Sequence, residues 1–245
     1  MPFSSQALRV PSRRTFLTRA GLTTAGAGLL LATARCSGDS DEEDVGAVED
    51  LMREHGVLRR ALLVYGESAA RLRNGDTSLD LSALNRTAKL FRAFGEDYHE
   101  RQLEEAYIFP AIRDAGGDAA PLADVLMAQH ARGREITDYI DRVTAKGTLA
   151  GTDAAALADV FDGFIAMYEN HAAREDTIVF PAWKASLSKK QLDELGGTFE
   201  DIERKTFGTD GFDAAVNKID DIEGALGFAD LDSFTAPPPP QADAR

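Results

Sequence analysis

The chain has 245 residues, 44% of them hydrophobic, and a formal net charge of −14. That length supports one sizeable domain with appendages, and the acidic balance excludes a broad nucleic-acid footprint, which needs a basic surface. A single cysteine, Cys36, excludes an internal disulfide framework and a thiolate metal cage, and no run of about 20 apolar residues is present to span a membrane in the mature protein.

Residues 1–36 read as an export signal. "SRRTFL" (Ser12 to Leu17) carries the paired arginines of a twin-arginine signal, Ala20 to Ala34 is mildly apolar, and "ATA" (Ala32 to Ala34) has the small-x-small form a signal peptidase accepts. This segment holds five arginines and no acid, so the remainder is more acidic still, with 22 basic against 41 acidic residues. The expected location is periplasmic or otherwise extracytoplasmic. Cys36, followed by the polar tether "SGDSDEED", offers a lipid anchor as the alternative, against which Arg35 directly before it counts. The twin-arginine route resembles, as a class, the export path of proteins that fold around a cofactor before crossing the membrane. Residues 37–47 form an acidic linker.

From Val48 the pattern is helical. Leu51, His55, Leu58, Leu62, Tyr65, Ala69 and Leu72 step by three and four, the face repeat of an amphipathic helix, and "NGDTS" (Asn74 to Ser78) breaks it. A second helix runs from about Leu81 to the Phe-Pro at 109 and 110, with Leu84, Ala88, Phe91, Gly95 and His99 in line. After "DAGGDAAP" a third carries Leu122, Leu126, His130, Gly133, Ile136, Ile140 and Val143. Thr152 is a candidate N-cap for the fourth, which carries Val160, Phe164, Tyr168, His171, Glu175 and Ile178. Long helices joined by short turns are antiparallel neighbours, so residues 48–184 form an all-α, up-down four-helix bundle.

All four histidines of the chain fall on these apolar stripes, one per helix. If a third of a helix faces inward, that is roughly a one-in-eighty accident. Buried imidazoles among carboxylates are costly without partners, and a metal supplies one. The halves also repeat. The separations of His55 from His99 and of His130 from His171 are 44 and 41 residues, and each half closes on a similar phrase, "YHERQLEEAYIFP" and "HAAREDTIVFP". Imidazole with carboxylate and no thiolate suits iron or manganese, zinc being a further fit, and helical bundles build dinuclear carboxylate sites from facing helices. Each histidine is expected to give its second nitrogen to a carboxylate or carbonyl.

"EHGVLRR", "YHERQLEEAYIFP", "QHARGRE" and "HAAREDTIVFP" together resemble the four helix signatures of the hemerythrin-like, HHE cation-binding family, over about Val48 to Lys184. The resemblance implies a bundle holding two non-haem iron ions, oxo- or hydroxo-bridged, that bind dioxygen or nitric oxide. Carried over position by position, it implies His55, His99, His130 and His171 as ligands, with Glu175 as one bridging carboxylate. The oxygen-carrying members use five histidines, with a pair one turn apart on the third helix. Here the position four after His130 is Arg134. The four-His, two-carboxylate pattern resembles instead members linked to nitric oxide response and iron repair.

The second carboxylate is the difficulty. His171 and Glu175 are one turn apart, but four after His99 stands Leu103. Counting back from Phe-Pro, Glu104 matches Glu175 and Glu105 matches Asp176. On a regular α-helix Glu104 would point about 140° from His99. A single π-bulge between His99 and Phe109 would bring it alongside and turn Leu103 into a hydrophobic layer. The alternative is a straight helix with Glu104 and Glu105 in solvent.

Beyond Trp183, Ser188 and Gln191 form a capping-box signature that opens a fifth helix. A sixth follows through Phe212, Val216, Ile219, Ile222 and Leu226. This 185–230 extension is expected to pack on the bundle, and residues 231–245 are expected to form a Pro-rich, extended or disordered tail. Three functions remain open: a small-ligand binder or sensor that also covers iron handling, an enzyme acting on oxygen, peroxide or nitric oxide, and a bundle without metal. The sequence sets no oligomeric state.

Overall fold

A computed structural model describes residues 45–240. The export signal, most of the acidic linker and the last five residues lie outside the described residues. Four long helical rods carry the core. The first is α1 (Ala47–Arg73). The second is continuous through α2 (Leu81–Leu90), a π-helical stretch π1 (Phe91–Ile108) and α3 (Phe109–Ala115). The third is α4 (Ala120–Thr144). The fourth runs through α5 (Gly151–Arg174), π2 (Glu175–Val179) and α6 (Phe180–Ala185). The chain is all-α among the described residues, with α1 packed chiefly on α5 and α2 on α4. No helix there is long and apolar enough to cross a membrane.

The ends of the rods follow local chemistry. Asp80 caps α2 by accepting from the backbone N–H groups of Ser82 and Ala83. The fourth rod differs from expectation: Ala150 is its N-cap residue and no side chain caps it, so Thr152 lies inside the first turn. Both Phe-Pro pairs lie inside a rod and end neither. Proline lacks the N–H of an interior turn and crowds the carbonyl four residues back. In both rods the turn before it is wide: Phe109 N–H bonds the Glu104 carbonyl and Phe180 N–H bonds the Glu175 carbonyl, five residues back.

The expected single bulge in the second rod is therefore an 18-residue π segment. The fourth rod, read as regular, has a shorter one. The wide turn advances the fourth rod's buried face by one residue, which is why Ile178 is 41% exposed and Val179 fully buried. In the second rod the extra residue is absorbed the same way, and Leu103 is buried in the core. The upstream part of π1, Phe91 to Asp97, precedes the repeated phrase and is not explained by it.

The C-terminal extension packs on the bundle. Ser188 and Gln191 complete their capping box at the start of α7 (Lys189–Phe207), and Phe199 stacks on Trp183 at 5.9 Å between centroids. From α1, Arg60 pairs with Asp220 and Glu223 of α8 (Gly211–Leu226). Arg53 lies 4.2 Å over the Phe212 ring, and Arg71 donates to the Leu226 carbonyl at 3.0 Å. A 3-10 turn, Leu231–Phe234, follows.

Candidate metal centre

The six residues His55, His99, Glu104, His130, His171 and Glu175 converge at one level of the bundle, none more than 3% exposed. The inward nitrogen of every histidine faces a carboxylate. Glu104 lies between His99 Nε2 at 3.3 Å and His130 Nε2 at 3.4 Å. Glu175 lies between His171 Nε2 at 3.1 Å and His55 Nε2 at 3.5 Å. The inward nitrogens of His130 and His171 are 3.1 Å apart. Two groups of donor atoms close to within 4.8 Å: Glu104, His130, His171 and Glu175, and His55, His99 and Glu104. Glu104 belongs to both.

Both oxygens of Glu104, both of Glu175 and His99 Nε2 are buried without a hydrogen-bond partner. Orphaned buried acceptors are costly and demand an explanation. Here they are the atoms that would face a cation pair, so the donor set fits two divalent metals bridged by two carboxylates.

The outward nitrogens are held too. His55 Nδ1 donates to Asp176 at 2.7 Å, His99 Nδ1 to Glu54 at 2.6 Å, His130 Nδ1 to Glu105 at 3.0 Å, and His171 Nδ1 to the Gln129 amide oxygen at 3.0 Å. In a neutral imidazole each bond sets the tautomer that would leave Nε2 available to a metal. Glu54 also accepts from Tyr98 Oη at 2.9 Å. These partners follow a pseudo-twofold. Glu54 and Gln129 directly precede the first histidine of each half and hold the second. Glu105 and Asp176 directly follow each inward glutamate and hold the other half's first histidine. Arg59 and Arg134, each four residues after a first histidine, pair with Asp176 and Glu105. Phe180 and Phe109 stack on His55 and His130, both at 5.4 Å.

The sequence pattern singled out none of these outer partners except by matching Glu105 to Asp176. The signal was present, because each acid or amide adjoins one of the six inward residues in the chain. Of the two candidates for the second inward carboxylate, Glu104 points in and Glu105 points out. A third donor group, Glu100, Glu105 and His130, is bridged by Arg134, which pairs with both acids.

The electrostatics are mutually compensating. Burial pushes Glu175 well above the usual carboxylate range, and the Glu104 charge adds to it. Burial would do the same to Glu104, but His99 and His130 outweigh it and hold its carboxyl well below. Burial pulls His99 down, yet Glu104 and Glu54 hold it well above its ordinary value. His130 is likewise pulled down by burial, but Glu100, Glu104 and Glu105 raise it to about 10. His171, with an amide in place of an acid, is lowered to about 4 by burial and by His130. A cavity of about 10 Å³ opens on the centre.

Comparison with known proteins agrees with this arrangement. The family model described as "Hemerythrin HHE cation binding domain" matches residues 46–183. The chain is 42% identical over 234 residues to uncharacterized proteins of Mycobacterium tuberculosis (Rv1995) and Mycobacterium bovis (Mb2018), covering 86% of this chain and 88% of each relative. No solved structure matches. With its bundle, its buried His/Glu clusters and a match over more than half its length, the chain belongs to the hemerythrin HHE cation-binding family.

Proposed function

We propose that the protein holds two non-haem iron ions, one between His55 and His99 and one between His130 and His171, with Glu104 and Glu175 bridging. The observation that carries this reading is the pair of buried glutamates whose four oxygens lack hydrogen bonds and face four imidazole Nε2 atoms. With four histidines in place of five, an open position is left for an exogenous ligand. A cavity of about 10 Å³ opens on the centre, near the smallest that holds one water, which supports a small exogenous ligand such as dioxygen or nitric oxide. Iron supplies redox and Lewis-acid chemistry when bound; the chain's own residues orient it, exclude bulk water and hold the imidazoles in one tautomer.

The test is metal analysis of protein purified from iron-replete cells, followed by optical spectra with and without dioxygen and nitric oxide. Two irons per chain with ligand-sensitive charge-transfer bands support the reading. Stoichiometric manganese or zinc would reassign the metal, and no stoichiometric metal would leave a structural bundle.

We also propose export by the twin-arginine route, on the strength of "SRRTFL" and the apolar stretch after it. Replacing Arg13 and Arg14 together with Lys should leave the protein in the cytoplasm, and unchanged export of that variant would sink the proposal.

A further inference from the structure

A groove of about 410 Å³ opens between α2 and α8. Arg86 and Lys89 stand on its α2 side and Lys218 on its α8 side, with the buried Leu90 and Ile222 as its apolar lining. None of the three cations has a carboxylate partner among the described residues; Arg86 reaches only the Ser82 hydroxyl. That sets them apart, because the five arginines of α1 are all tied to carboxylates. Asp221 is the acid in the groove's lining, and Asp220 and Glu223 beside it on α8 are taken up by Arg60. The groove therefore carries local positive charge on a strongly acidic chain. Lys218 belongs to α8, outside the residues 46–183 that the family model matches, so the site is not one that the family's bundle supplies by itself.

The groove's lining also leads inward. Phe91 follows Leu90 in the chain and is fully buried. Its ring lies edge-on to that of Tyr168 at 4.8 Å, and the Tyr168 ring lies 5.4 Å from that of His171. The six inward residues are no more than 3% exposed, so a protein-sized reductant cannot touch them and its electrons must cross packed side chains. Bonded and touching groups give the shortest such crossing. Resting on the di-iron reading above, we infer that this groove is the docking site of an acidic one-electron donor protein, with Leu90, Phe91 and Tyr168 as the path to His171. Charge complementarity chooses the occupant. An acidic partner is repelled by the chain's net charge and drawn to the untied Arg86, Lys89 and Lys218. In each transfer the donor loses one electron and one ferric ion becomes ferrous; no bond forms or breaks.

The test uses the iron-loaded, oxidised protein, with a reduced 2Fe–2S ferredoxin as the acidic donor and hexaammineruthenium(II) as a small cationic reductant. The ferredoxin should reduce wild type with a second-order rate constant that falls as salt rises, the opposite of two surfaces that repel. Lys89→Glu with Lys218→Glu, both at exposed positions, should lower that constant about tenfold and raise the calorimetric Kd for ferredoxin by a similar factor. Reduction by hexaammineruthenium(II) should not slow. Phe91→Leu should leave the Kd unchanged and slow reduction severalfold at saturating ferredoxin. A wild-type constant that rises with salt, or a Kd unmoved by the double variant, overturns the docking site and leaves the metal centre standing. An unchanged saturating rate in Phe91→Leu overturns the path. Protein that retains no iron overturns the di-iron reading and this inference with it.

Discussion

Asp176 accepts the Nδ1 hydrogen of His55 at 2.7 Å across 121 residues of chain, and Glu105 does the same for His130 at 3.0 Å across 25. The two bonds are equivalent by the pseudo-twofold, although one joins the first rod to the fourth and the other the second to the third. Each acid is the neighbour of an inward glutamate. One helical step thus places a ligand on the inside and the orienting group of another ligand on the flank.

Asp176→Asn and Glu105→Gln should each lower metal affinity by about 10- to 100-fold, the usual effect of removing a carboxylate that orients a ligating imidazole. Chelator competition reads the affinity, and circular dichroism should show the helices intact. Metal retention equal to wild type in both variants would contradict the role.

Glu104 and Glu175 should respond differently to loss of charge in metal-depleted protein. Burial and the Glu104 charge push the Glu175 carboxyl up, which favours its neutral form, so Glu175→Gln should leave stability within about 1 kcal/mol. Glu104 is held down by His99 and His130. Its folded value lies below its unfolded one, so it adds stability at neutral pH that is lost as pH falls. Glu104→Gln leaves two imidazoles without their counter-charge and should cost about 3 kcal/mol. Both variants should lose the rise in Tm that iron produces. Equal apo stabilities would show the assignment to be mistaken.

Glu203, which is not one of the six inward residues, gives a pH test. Burial raises it to about 7 against the Phe212 N–H it accepts from, and Asp210, Glu54 and Asp50 add to the rise. A folded-state value above the ordinary 4.5 means that folding takes up a proton between those limits, so stability falls as pH rises from about 4.5 to 7. Solvent reaches part of the carboxylate and screens it, so Glu203→Gln should stabilise by only about 1 kcal/mol at pH 8. That gain should vanish below about pH 4.5. Thermal melts across pH measure it, and a gain that persists in acid would refute it.

Deleting Leu103 makes the first phrase match the second, with the glutamate four after the histidine and five before the phenylalanine. The variant should keep both metals, since π2 achieves the same placement with that spacing. It should lose about 2–4 kcal/mol for a buried leucine. A folded variant that binds no metal would mean that the long π segment, and not the glutamate's register, makes the site.

The amphipathic stripes were enough to count the rods and to put all four histidines on inward faces, because both depend on periodicity within one helix. The second carboxylate was legible only as an alternative between Glu104 and Glu105. Its register depends on a wide turn, whose stability comes from proline crowding and from groups on other rods. For the same reason Ile178 was read as core while Val179 occupies it. The outer partners Glu54, Gln129, Asp176 and Glu105 adjoin the ligands in the chain. Which histidine each one serves is a matter of packing, since every bond crosses between rods. The seat of the Tyr168 hydroxyl is wholly tertiary. Gly133 and Tyr168 are ordinary members of two apolar stripes, and only the close approach of α4 and α5 turns a missing side chain on one into a seat for the hydroxyl of the other.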